Sequence, residues 1–195
     1  MSEATATPAG RIAELDREPI TIVPYDDRWP LLFAAEQARL GTSLPPGLCT
    51  RIDHIGSTAV PGCPAKPVID IQVPVTSLEQ VRREAVPIMD QLGYEFIWRP
   101  TMGERVPHYA WFIRRDGHGR RLFHVHMVEP DEATADRLLF RDHLRAHPQS
   151  VAVYNALKQR LALEHPTDRA AYTRSKSAFI NDVLQRARAA AGLLG

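Results

Sequence analysis

Two cysteines, three lysines and no long apolar run set the first limits on this 195-residue chain. Cys49 and Cys63 are not spaced as a C-x-x-C pair and define no disulfide framework, so both read as packing residues. No apolar stretch approaches the ~18 residues a membrane span needs. The opening MSEATATPAGRIAELDREP lacks the basic and apolar regions of a secretory signal. A cytoplasmic protein with no membrane partner is the expectation. An excess of one charge sign is missing too: 24 basic against 23 acidic residues leave a net charge of +1, which argues against a nucleic-acid surface. A G-x-S-x-G elbow, a P-loop and a G-x-G-x-x-G turn are also absent, so no nucleophile arrangement stands out.

The scarcity of lysine is the sharpest of these facts. The chain carries 21 arginines and only Lys66, Lys158 and Lys176. A protein that uses arginine for most of its cations keeps a lysine where a compact, flexible ammonium is needed and a planar guanidinium will not fit. The competing reading is chance survival of a few surface lysines.

What is present describes a mixed α+β body followed by helices. Residues 1–19 show no clear period and are expected as a flexible leader; 20–195 are expected as one domain, with an α+β core to 130 and C-terminal helices over 131–195. Trp29, Leu32, Phe33, Glu36 and Leu40 have helical spacing, with Asp26 and Asp27 suited to cap the start. Strands are expected over 49–55, 68–75, 94–99, 108–114 and 120–128, the last two joined by a hairpin loop at Arg115-Asp116-Gly117-His118-Gly119. Ser77 and Gln80 form a capping pattern for a helix that Pro87 should kink and Gly93 should stop. Beyond Asp131, three helices are punctuated by His147-Pro148 and His165-Pro166, with Asp168 able to cap the third.

The polar residues within apolar strands carry the chemistry. In HIGSTAVPGCPAKPVIDIQV (54–73), Gly56, Ser57 and Thr58 follow one strand and offer hydroxyls and a close backbone approach, which suit a phosphate. Alternation along Val68–Val73 places Asp70 and Gln72 on one face and Ile69, Ile71 and Val73 on the other. A carboxylate among apolar neighbours needs a cationic or hydrogen-bonding partner. His124 and His126 share a face of their own strand; beside Asp70 they would form a site of two imidazoles and one carboxylate. The alternative is two half-exposed histidines on a sheet. Tyr154 with Lys158, and Tyr172 with Lys176, repeat an i, i+4 pairing on successive helices, although a lysine beside an apolar stripe often only snorkels. Arg141 could add an anion contact.

These residues together resemble the GrpB family, which is related to the nucleotidyltransferase fold of polymerase β type. The match rests on HIGSTAVPG and AKPVIDI, supported by Tyr25, Trp29, FHVH (123–126), FRDHLRAHP (140–148), Tyr154 with Lys158, and Tyr172 with Lys176. The resemblance implies a mixed sheet with flanking helices and a helical C-terminal segment. It implies a Gly-Ser turn for a phosphate chain and carboxylates for divalent metal, Mg²⁺ or Mn²⁺, with a softer ion such as Zn²⁺ as the variant for a histidine-bearing site. Gly56, Ser57 and Asp70 fit that pattern, whereas Gln72 stands where the second acid would be. The function implied is nucleotidyl or related group transfer to a small, phosphorylated molecule. Asp70, His124 and His126 would form the reacting and metal site, and Gly56, Ser57, Thr58, Lys66, Arg141, Tyr154, Lys158, Tyr172 and Lys176 the binding residues. A non-catalytic anion-binding module and a condensing enzyme that uses no nucleotide remain the alternatives.

Overall fold

Period-two alternation of apolar and polar residues builds the centre of the molecule. The computed structural model describes residues 8–99 and 109–192. Its strands are β1 (Asp53–Ile55), β2 (Ile69–Pro74), β3 (Tyr94–Arg99), β4 (Tyr109–Arg115) and β5 (Arg121–Val128). Among the described residues they form one sheet in the order β1-β2-β5-β4-β3. β2 and β5 run parallel and the other pairs antiparallel, so the sheet is mixed. In the parallel pair Asp70 stands opposite His124 and Gln72 opposite His126. The β4–β5 hairpin closes as expected: the Asp116 carboxylate accepts from the N–H groups of His118 and Arg120.

The apolar face, with Ile69, Ile71, Val73, Phe112, Val125 and Met127, is the main core. It is covered by α2 (Trp29–Ser43), α3 (Leu78–Gln80), a π-turn (Val81–Ala85) and α4 (Val86–Gln91). Ser77 caps α3 by accepting from the Gln80 N–H, as its position suggests. Pro87 acts one residue earlier than a simple kink would. It has no N–H to return to residue 83, and the Val86 N–H instead bonds the Val81 carbonyl across the wider π spacing.

The opposite, polar face is covered by α5 (Glu132–Ala146), α6 (Pro148–Glu164), α7 (Arg169–Arg174) and α8 (Ser177–Ala190). A polar sheet face beneath a helical layer becomes the wall of a cavity instead of a second core.

Three expectations need correction. Residues 8–16 of the expected flexible leader form α1 (Pro8–Asp16), because Ile12 and Leu15 at i, i+3 pack on Ile97, Trp111 and Ile113, and Arg11 pairs with Glu95; residues 1–7 lie outside the described residues. Asp26 and Asp27 do not cap α2. Asp26 accepts from the Arg28 N–H and guanidinium in the turn before it. The third C-terminal helix is two, broken at Ser175 and Lys176, which puts Lys176 at the N-cap of α8. His108, expected to open a strand, lies outside the described residues.

Candidate functional site

The cavity between the polar sheet face and the C-terminal helices has a volume of about 450 Å³. Asp70 is at its floor. Its Oδ1 lies 3.1 Å from His124 Nδ1 and 3.7 Å from His126 Nε2, so the parallel register joins the aspartate and both histidines as the alternation suggested. A third of the Asp70 side chain remains accessible, through the cavity. Burial alone would raise its pKa, but hydrogen bonds from His124 and His126 carry it well below the ordinary carboxylate value. Burial pushes the His124 imidazole down to about 4, so at neutral pH an ionised Asp70 meets a neutral ring. That ring donates from Nδ1 and turns Nε2 towards the Arg121 guanidinium at 3.5 Å.

Gly56 explains how Asp70 is reached by the turn after β1. Its backbone has φ 72 and ψ -173, a region open almost only to glycine, and a Cβ there would lie 2.8 Å from Asp70 Oδ2. The glycine therefore serves close backbone approach to the aspartate. Ser57 lines the cavity beside the Tyr154 phenol. Thr58 does not serve as expected: its hydroxyl is buried, accepts from His54 Nε2 at 3.0 Å and points to the Val68 carbonyl at 3.4 Å.

All three lysines line this one cavity. Every ion pair within 4.0 Å among the described residues uses arginine or histidine, and none uses a lysine. The amines of Lys66 and Lys176 lie 5.5 and 4.3 Å from the centroid of the same Tyr172 ring. Burial first, then neighbouring cations, push Lys66 down to about 8 and Lys176 down to about 7. Lys158 is more tightly engaged. It is buried over Tyr154, 3.1 Å from Cys63 Sγ, and donates to the Pro64 carbonyl. It therefore also fixes the loop that leads to Lys66. Tyr154 stacks on Phe179 and so serves packing as well as the cavity wall.

Arg141 is not brought to the site. It pairs with Asp142 and donates to the His54 carbonyl, outside the cavity lining. Other arginines, which the sequence did not single out, are there instead. Arg137 donates to Gln72 Oε1 at 2.9 Å, while Gln72 Nε2 donates to the Thr134 carbonyl at 3.1 Å. The fully buried Gln72 amide thus ties β2 to α5, and neither end is left for a metal. Arg121 pairs with Glu18 at 2.7 Å, and Arg169 lies 3.9 Å from the same carboxylate. Asp16 and Glu18 bring the N-terminal segment to the cavity edge. Nothing in local pattern marks these arginines among 21; only the fold selects them.

Asp70, His124 and His126 offer one carboxylate oxygen and two imidazole nitrogens within 4.8 Å of one another. Separations of 3.1 and 3.7 Å to Asp70 match the edges of a coordination shell with bonds of about 2.1 Å. These residues could hold a divalent cation once His124 Nδ1 gives up the proton it donates to Asp70.

The GrpB protein family model matches residues 19–186. The UPF0157 protein PA4798 of Pseudomonas aeruginosa is 42% identical over 182 residues, covering 92% of this chain and 72% of that protein. The UPF0157 protein YqkA of Bacillus subtilis is 33% identical over 170 residues, and there the match spans 87% of this chain but 47% of the relative. The crystal structure of conserved protein GrpB from Enterococcus faecalis superposes with a TM-score of 0.70 at 32% identity, covering 86% of this chain and 96% of that one. The mixed sheet with its two helical layers is the fold this neighbour also has, and it accords with a nucleotidyltransferase-like arrangement. With a family model covering most of its length and a structural neighbour of the same name, this chain belongs to the GrpB family.

Proposed function

We propose that this protein is an enzyme that transfers a nucleotidyl or related phosphoryl-bearing group to a small molecule, with its phosphorylated substrate bound in the cavity beneath the C-terminal helices. One observation carries the reading: an ionised carboxylate with two histidines, and three amines without carboxylate partners, converge on a single cavity. Ser57 and Lys66 are suited to hold phosphate oxygens, with the half-buried Arg169 beside them. Asp70, His124 and His126 would hold one divalent cation, which would polarise a phosphoryl oxygen and offset the charge that develops on it. Two imidazoles suit Mn²⁺ or Zn²⁺ better than Mg²⁺, which prefers oxygen donors. Cation binding at His124 Nδ1 would displace the proton that this nitrogen donates to Asp70, and Asp70 stays charged to accept a proton or a cation. With the Gln72 amide spent on Thr134 and Arg137, a second cation has no carboxylate from β2.

The engagement of Gln72 also favours a second reading, a non-catalytic anion-binding module on the same fold. Asp70→Ala separates the two. It leaves ligand affinity nearly intact in a module and abolishes turnover in an enzyme. The reading is tested by thermal unfolding with ATP, GTP, CTP or UTP and Mn²⁺, Zn²⁺ or Mg²⁺. At a hundredfold excess over Kd a bound nucleotide stabilises by about 2.7 kcal/mol, or roughly 5–10 °C for a domain of this size. The absence of any shift with all four nucleotides removes the nucleotide version and leaves a group-transfer or condensing enzyme that works on other phosphorylated compounds.

A further inference from the structure

The cavity poses a question that phosphate binding does not answer. Arginine is this chain's usual cation, 21 against three lysines, yet the cavity is lined by all three lysines. A guanidinium binds an anion at least as well as an ammonium. What it cannot do is lose its proton and attack an electrophile. An amine that is retained where a guanidinium would serve for charge points to chemistry at nitrogen.

The three amines are not equivalent. The Lys158 amine is occupied by Cys63 Sγ and the Pro64 carbonyl. Lys66 faces Asp16 and Asp70 as well as Arg121 and Arg169, so two carboxylates help it keep its proton. Lys176 faces two cations, Lys66 and Lys158, against the single carboxylate of Asp70. It stands at the break between α7 and α8, its amine 4.3 Å from the centroid of the buried Tyr172 ring, without a hydrogen-bond acceptor among the described residues. An amine in apolar surroundings beside other cations is the arrangement that activates lysine for carbonyl addition.

We propose that Lys176 is a nucleophile that forms a Schiff base with the carbonyl carbon of a small phosphorylated aldehyde or ketone. The inference rests on the reading of the cavity as a site for phosphorylated molecules. Lys66 and Ser57 hold the phosphate, and the Lys176 nitrogen lone pair adds to the carbonyl carbon. The carbonyl π pair takes up a proton, giving a carbinolamine. Water then leaves as the C=N bond forms, and the amine's surplus proton passes to solvent. No oxidant or reductant is needed.

The test uses the full chain and two probes, pyridoxal 5′-phosphate and pyridoxal, each followed by borohydride trapping and peptide mapping. With its pKa at about 7, Lys176 is half amine at pH 7, about a thousandfold more than an ordinary lysine near 10.4. The expected result is a single adduct on Lys176, formed faster from the phosphorylated probe, with a rate that is half-maximal near pH 7. Lys176→Arg, which keeps the charge, loses the adduct. Equal trapping at Lys176 from both probes upholds the nucleophile but defeats the phosphate reading. Labelling of Lys66 or the N-terminus ahead of Lys176 overturns the proposal. So does a wild-type trapping rate that climbs without levelling to pH 9, a measurement that depends on no variant folding.

Discussion

Gly56→Ala puts the architecture of the site to a quantitative test. The substitution has two costs of different origin. The first is backbone: φ 72 with ψ -173 is a conformation that an L side chain adopts only at about 1–3 kcal/mol. The second is contact. The new Cβ would lie 2.8 Å from Asp70 Oδ2, so the carboxylate must shift by several tenths of an ångström and give up part of its hydrogen bond to His124 at 3.1 Å. A charge-assisted hydrogen bond contributes roughly 1.5–3 kcal/mol. Together the loss is about 3–5 kcal/mol, a fall in Tm of roughly 10 °C. Urea unfolding followed by fluorescence of the three tryptophans measures it. Most of the contact part is isolated by repeating the substitution in an Asp70→Ala background, where the backbone cost and the 3.3 Å approach to the residue-70 Cβ survive. A coupling of roughly 2 kcal/mol between the two positions is expected; coupling below about 0.5 kcal/mol would refute the idea that Gly56 exists to let the turn approach Asp70.

Two other perturbations follow from the same geometry. Gln72→Glu removes the donor to the Thr134 carbonyl and sets two oxygens against each other in a fully buried position, a loss of roughly 1–3 kcal/mol in urea unfolding; a more stable variant, or one that binds a second Mn²⁺, would show that the amide is not a structural tie. Burial pushes both His54 and His124 down to about 4, so the fold favours their neutral forms. Their contribution is complete above the ordinary value near 6.5 and is lost as the pH falls from there towards 4. It amounts to roughly 3 kcal/mol for each ring, in order of magnitude. The urea midpoint should therefore decline between pH 6.5 and 4.5, and His54→Gln should flatten that decline; a midpoint constant over this range contradicts the account.

Much of the site was legible because it is written in short-range periods. Alternation in β2 and β5 put Asp70 on one strand face and His124 with His126 on another, and only the parallel pairing was needed to bring them together. The three lysines were legible from composition alone. What local pattern does not carry depends on long-range partners. Arg137 and Arg169 look like ordinary surface residues until α5 and α7 are laid over the sheet. Thr58 reads locally as a phosphate donor because its neighbours are Gly56 and Ser57, but the fold turns its hydroxyl to His54 and Val68. α1 has little local signature: its apolar signal is only Ile12 and Leu15, and these gain meaning from Ile97, Trp111 and Ile113 far along the chain. Gln72 read as a missing acid, whereas its amide is a two-ended tie to α5.

The proposed cation site of Asp70, His124 and His126 lies at the floor of the lysine-lined cavity. Calorimetric titration of chelator-stripped protein with Zn²⁺, and separately with Mn²⁺, tests it most directly. One equivalent should bind, with affinity lost in Asp70→Ala and in His126→Ala while both variants still unfold cooperatively. No binding of either ion, or binding that survives both substitutions, would contradict it.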